Sequence, residues 1–295
     1  MTVCIILNNK KYGVAIADSR AVYDDNRLGD VANKLTILKT KNYGGAVVGA
    51  GDAQLVFSLL QKAKSVKSGS YEKLLKILRN YLFDVLENLR LQLLEADKKL
   101  NENTASILDN LEPINSEDLE QIYNSECLIA AYDFKRQRIL KHRIYPELYI
   151  PDTTFESVIG SGKDAAELEL LRLIPGVPIS RLNLEEITFF AMCAYVRATQ
   201  NVGVGGAPKV ALIQEQGVSK LNKQKCITLA NLVAAYSAEV VGRDYAEEQL
   251  KNIMKNIPNY ASLGSKLNLN ENTLRSLLIP LGSWISYNNN QRYKK

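Results

Sequence analysis

The second residue of the chain is a threonine, at the head of the apolar run Thr2-Val3-Cys4-Ile5-Ile6-Leu7. If Met1 is removed, this residue carries a nucleophile and a base together. The hydroxyl attacks, and the α-amine of the same residue, with an unperturbed pKa of about 7.7–8.0, takes the proton. Threonine with its own amine is a recognised activated pair for amide hydrolysis through a covalent acyl-enzyme. A small residue after methionine is also what aminopeptidases uncover most readily. Other reactive groups follow in order: Asp18 and Arg20, then Lys34, then the tight turn Gly49-Ala50-Gly51-Asp52, and much later Gly160-Ser161-Gly162. Taken one at a time, each has an ordinary structural reading. Asp18 and Arg20 would be an ion pair worth ~0–1 kcal/mol at the surface, Lys34 a strand-start lysine, and the glycine triplet a turn. His142 is the only histidine and lies in an alternating strand pattern. A hydrolase built on this chain therefore needs a base other than imidazole.

The bulk numbers narrow the class. The chain has 295 residues, 46% hydrophobic and 23% charged, as expected of a globular protein. The first apolar run is too short for a signal peptide, and no stretch approaches the ~20 apolar residues of a membrane span. The expectation is a cytoplasmic protein with no membrane partner. The net charge of +5 is spread through mixed-sign helices. The dense basic clusters, residues 135–143 and 292–295, read as solvated surface, not as a nucleic-acid footprint. Cys4, Cys127, Cys193 and Cys226 have no metal-like spacing and sit in apolar patterns, so they read as reduced core residues.

The elements that must position these groups follow from periodicity. Residues 2–7 and 12–18 form a hairpin around 8–11, and residues 34–38 and 44–49 form a second pair of strands. Helices follow from Ala53 and over 70–100, the latter with a broad leucine stripe. Residues 101–125 are a polar, acidic loop or insertion; a hairpin over 127–145, a helix over 164–172, a helix from 183 or 184 to about 200 and a strand over 208–214 complete the unit. Residues 218–221 pair with that last strand. Hairpins dictate antiparallel sheets, and amphipathic helix pairs cover them. The predicted class is α+β, a four-layer α-β-β-α sandwich over residues 2–221. Residues 222–295, helical and polar at 239–256 and 270–279, read as a C-terminal helical extension.

In this order and spacing the residues resemble the proteasome β-type N-terminal-nucleophile hydrolases, a superfamily that includes HslV and the bacterial relative Anbu. The resemblance covers about residues 2–215 and is most specific over Thr2, Asp18, Arg20 and Lys34. It implies that Lys34 holds positive charge near the Thr2 hydroxyl, and that Asp18 fixes the Lys34 ammonium. It implies an oxyanion donor among the backbone N–H groups near Ala50 or Gly51, where removing such a donor costs ~10²–10³ in rate. Ser161 matches the serine beside the threonine amine. The chain departs from the pattern at Asn201-Val202-Gly203-Val204-Gly205-Gly206, where Asn201 replaces an acid and Val204 a serine. Asparagine still hydrogen-bonds but carries no charge.

The implied function is an N-terminal threonine peptidase or amidohydrolase acting on a peptide or protein substrate, with no metal and no organic cofactor. Two further readings stand beside it: a catalytically silent structural or binding subunit of the same fold, and an acyltransferase or peptide ligase using Thr2. A homo-oligomer assembled through the long helix is expected, with an unfoldase as a conceivable partner. Two glycine motifs fall away. Gly160-Ser161-Gly162-Lys163 lacks the first glycine and the final Ser or Thr of a phosphate loop, and Gly203–Gly206 follows a helix instead of a strand.

Overall fold

The computed structural model describes residues 2–22, 28–29, 32–102, 125–145, 148–201 and 204–255. Strands β1 (Cys4–Asn8) and β2 (Gly13–Ala17) form the opening hairpin. Short β3 (Ala21–Val22) and β4 (Leu28–Gly29) pair with each other. Then come β5 (Leu35–Lys39), β6 (Tyr43–Ala50), helices α1 (Ala53–Ser65) and α2 (Tyr71–Glu102), and strands β7 (Glu126–Asp133), β8 (Arg138–Ile144), β9 (Tyr149–Pro151) and β10 (Glu156–Ile159). Helices α3 (Lys163–Leu173) and α4 (Leu184–Ala198), strands β11 (Lys209–Gln214) and β12 (Gly217–Lys220), and helices α5 (Lys223–Ser237) and α6 (Arg243–Lys255) close the described chain.

Among the described residues the fold is α+β, with six helices and two five-stranded antiparallel sheets. One sheet runs β10-β1-β2-β11-β12 and the other β5-β6-β7-β8-β9. Strands β1 and β2 are buried except at Asn8, which is why they read as near-continuous apolar runs. Their two faces feed two different cores. Ile5, Leu7, Val14 and Ile16 pack with α3 to α6, while Cys4, Ile6, Ala15 and Ala17 meet Leu35, Ala46, Val48 and Leu128 of the other sheet. The outer face of that second sheet, with Tyr43, Val47 and Ile129, packs on Leu59, Leu74 and Leu78 of α1 and α2. The period-2 alternation of a strand thus sets which core each side chain joins.

Local signals account for the helix starts. Asp52 caps α1, its Oδ1 accepting from the Leu55 amide at 2.7 Å. Asn183 and Glu186 form a reciprocal capping box at α4. Helix α4 is apolar nearly all round and buried nearly all round, as its composition requires. Residues 223–237, part of the segment read from sequence as a polar appendage, form α5, whose Ile227, Leu229, Leu232 and Val233 are buried in the same cluster as α4. The predicted helix over 270–279 and nearly all of the 101–125 loop lie outside the described residues. All four cysteines are reduced and buried. His142 sits on β8 against Tyr71, with 3.1 Å between Nδ1 and the phenol oxygen, and burial lowers its pKa. Among the described residues no helix is long and apolar enough to cross a membrane.

Candidate functional site

Thr2 lies just ahead of β1 and is 6% exposed. Its position is fixed from the main chain. The Thr2 amide nitrogen donates to Ser161 Oγ at 2.9 Å, and its carbonyl accepts from the Gly162 amide at 3.0 Å. Ser161 and Gly162 sit in the turn from β10 into α3, and β10 lies beside β1 in the sheet. Gly160 makes that approach possible. Its φ is +90°, and a Cβ there would lie 2.5 Å from the Thr2 carbonyl oxygen and 3.2 Å from the Ala50 side chain. Ala50, the last residue of β6, is buried, whereas Gly51 and Ser161 are exposed, so the site borders solvent on their side.

Asp18 follows β2, and its carboxylate is fully buried. Oδ1 accepts from the Val3 amide at 3.1 Å and from Lys34 Nζ at 3.0 Å, and Oδ2 accepts from Lys34 at 3.1 Å. Lys34, whose side chain is 11% exposed, also donates to the Arg20 carbonyl at 2.5 Å. Burial raises the Asp18 pKa; the Lys34 ammonium and the backbone N–H groups of Val3 and Gly205 oppose that rise. A carboxylate held by a cation and main-chain donors is the arrangement in which a buried charge persists. Ser161, Thr2, Val3, Asp18 and Lys34 thus form one continuous chain of contacts.

Arg20 faces the loop after α4. Its Nη1 donates to the Val204 carbonyl at 3.4 Å, and the Ser19 and Arg20 amides both donate to the Gly205 carbonyl at 3.2 Å. Gly205, at φ +152°, lies flat against the guanidinium: a Cβ would sit 2.9 Å from Arg20 Cζ. Tyr195 of α4 anchors the loop by donating to the Gly206 carbonyl at 2.7 Å. The Asn201 side chain is exposed, and no hydrogen bond between described residues ties it to Thr2 or Ser161; its carbonyl accepts from the Val204 amide at 3.1 Å. Val204 is buried, packing beside Gly162. At this corner the described contacts to Asp18 and Arg20 come from backbone.

Gly51, at φ +120°, turns the chain out of β6 under Ser125, and the Ser125 hydroxyl accepts from the Asp52 amide at 3.0 Å. Lys209, on β11 opposite Ala17, is a residue that the sequence did not single out. It donates to the Ala32 carbonyl at 2.6 Å and to Asn33 Oδ1 at 3.0 Å, pinning the segment that leads into Lys34. Burial lowers its pKa to about 8, and the nearby Lys220 and Lys34 charges push the same way. A lone lysine in a mixed-charge chain gives no sequence signal for this. Only the pairing of β11 with β2 brings it here. Among the described residues no group of three or more His, Cys, Asp or Glu is placed to hold a metal ion.

No protein-family model matches the chain, and no curated protein matches it. Its fold, however, matches solved structures. An Anbu (Gly-1) mutant from Hyphomicrobium sp. strain MC1 aligns with a TM-score of 0.57 at 14% identity, covering 87% of this chain and 100% of that one. Anbu from Yersinia bercovieri, described as an ancestral beta-subunit, aligns with a TM-score of 0.56 at 14% identity, covering 87% and 98%. A further Anbu structure from the same Hyphomicrobium strain gives 0.52 at 12% identity, covering 88% and 99%. The chain shares the fold of these proteasome-like proteins over their whole length.

Proposed function

We propose that this chain is an N-terminal threonine hydrolase of peptide or amide bonds, with Thr2 as nucleophile once Met1 is removed. The observation that supports it most is the hydrogen bond from Thr2 N to Ser161, with Asp18–Lys34 joined to the next residue through the Val3 amide. With Met1 attached, that nitrogen is an amide. Released, it becomes an amine at the same place, beside the hydroxyl whose proton it must take.

The reaction then runs in balanced steps. The Thr2 Oγ attacks the substrate carbonyl carbon while its proton passes to the α-amine. The carbonyl oxygen gains negative charge, which a backbone N–H of Ala50 or Gly51 would hold. The C–N bond breaks, the departing amine takes the proton from the α-ammonium, and an ester on Thr2 remains. Water attacks the ester, gives a proton to the α-amine, and the Thr2 hydroxyl is restored. Lys34 lowers the cost of the developing alkoxide, Asp18 keeps Lys34 in place, and Arg20 shapes the loop that lies against Asp18. In this reading Asn201 acts through its main chain. The layer order we adopt is helix–sheet–sheet–helix, supported by the three apolar clusters. We also read the protein as a homo-oligomer, supported by Phe57 on α1 and by Phe83 and Leu91 on α2, which are 52%, 49% and 49% exposed.

The experiment is intact-mass spectrometry joined to turnover of a fluorogenic peptide amide. A species lacking Met1, active as Thr2, weakly active as Thr2→Ser and inactive as Thr2→Ala, supports the reading. Unchanged activity in Thr2→Ala refutes it. A second reading, a silent binding subunit, is favoured by the buried Val204 where a serine would stand. Met1 wholly retained would establish that reading instead.

A further inference from the structure

Part of the basic cluster read from sequence as solvated surface also lines a cavity. The β7–β8 turn meets the β1–β2 turn where the Ile139 amide donates to the Lys10 carbonyl at 3.0 Å. With residues 151–155 and the 3-10 turn Ile179–Arg181, these turns line a solvent-open cavity of about 790 Å³. That lies within the range of about 300–1,000 Å³ typical of small-molecule sites. The cavity sits at the Asn8 end of β1, the opposite end of the strand from Thr2.

Its lining holds five cations and one carboxylate, Asp152. Two of the cations are already paired. Arg136 bonds Glu72 at 2.6 Å, and buried Lys141 lies 3.5 Å from Asp152 and donates to the Thr154 carbonyl at 3.0 Å. Lys10, Lys11 and Arg138 are exposed, and among the described residues no carboxylate pairs with any of them. Three uncompensated cations around one concavity match a ligand with two or more negative charges; a monocarboxylate would leave two unanswered. Ile139, Phe155 and Ile179 supply apolar wall.

We propose that this cavity binds a small organic phosphate. Lys10, Lys11 and Arg138 take its phosphate groups, lysine as point charge and arginine as a fork. The less polar part of the ligand lies against Ile139 and Phe155. A bounded concavity, set apart from any extended basic stripe, favours a small molecule over a nucleic-acid strand.

Isothermal titration calorimetry of the full chain tests this without reference to Thr2. The probes are ATP, inorganic phosphate and citrate, without added metal. The expected result is a dissociation constant for ATP below about 1 mM, with inorganic phosphate and citrate at least about tenfold weaker. The Lys10→Glu, Arg138→Glu double variant should weaken ATP by more than about tenfold. Because both side chains are exposed, its melting temperature should stay near that of the wild type. No heat with ATP, equal affinity for all three probes, or full affinity in the folded double variant would each overturn the proposal.

Discussion

The Thr2 nitrogen and the Ser161 hydroxyl, 159 positions apart in the chain, lie 2.9 Å apart in the fold. The contact exists because β10 pairs with β1 and then turns sharply at Gly160. If the Thr2 amine is the base, Ser161 is the group that orients it. Ser161→Ala should therefore lower turnover of a peptide amide by about 10–100-fold, within the range a positioned proton-transfer group contributes. The fold should be unchanged, because Ser161 is exposed. Retention of full rate would show that the amine needs no such partner.

The Asp18–Lys34 pair should separate stability from chemistry. Removing one partner of a buried pair leaves the other uncompensated, at a cost of about 3–5 kcal/mol. Asp18→Asn and Lys34→Met should each show losses of that size in urea titrations. The double variant Asp18→Asn, Lys34→Met should recover much of the stability while remaining inactive. If the double variant hydrolysed peptide amides, the pair would be structural only.

Lys209 should matter through the segment it pins. Lys209→Met frees Ala32 and Asn33, so amide exchange should quicken at Ala32, which donates to the Ser19 carbonyl, and at Gly49, which donates to the Lys34 carbonyl. Turnover should fall by roughly tenfold, about 1.4 kcal/mol of barrier. Lys209→Arg, which keeps charge and reach, should restore part of it. A purely local role would leave exchange at Gly49 unchanged.

The alkaline limb carries two opposed contributions. Burial raises all four thiols, with Cys127 and Cys226 at about 12, above the ordinary 9.0. An unfolded chain loses those protons first, so their stabilisation is whole below pH 9 and is lost as pH climbs toward the folded values. Lys141 and Lys209 work the other way. Their pKa values fall to about 8 from 10.5, so the unfolded state holds more protons between those limits and stability rises across them. The wild-type urea midpoint should drop above pH 9. Cys226→Ala should flatten that drop, and Lys141→Met should steepen it. A steeper drop in Cys226→Ala would reverse the assignment.

The N-terminal third was legible because its signals are local. Alternation set β1, β2, β5 and β6, the tight turn Gly49–Asp52 marked the start of α1, and Thr2, Asp18, Arg20 and Lys34 occur at fixed short separations. The start of α4 at 183 or 184 was equally plain. What sequence could not show was main-chain chemistry. Asn201 and Val204 drew notice as missing side chains, yet the contacts seen at that corner come from the backbone of Val204 and Gly205. Lys209 was hidden because long-range strand pairing carries it to Lys34. Helix α5 was passed over because the segment was read as a whole by its polar stretches at 239–256 and 270–279, although residues 226–235 are largely apolar and pack against α4. The basic cluster at 135–143 was visible, but its cavity is made by turns far apart in the chain.

Gly205 answers to two masters, the Arg20 guanidinium against which it lies and the Asp18 carboxylate to which its N–H donates. Tolerance there has no gentle end. At Gly242 nothing lies within 4 Å of an added methyl, so alanine and larger side chains form a graded series. At Gly205 the first carbon already collides with the arginine, in a backbone conformation that side chains rarely adopt. Strain there begins with the first methyl group: the tip of Arg20 must shift to admit it, and the backbone that presents the Asp18 donor is already in a conformation costly to any side chain.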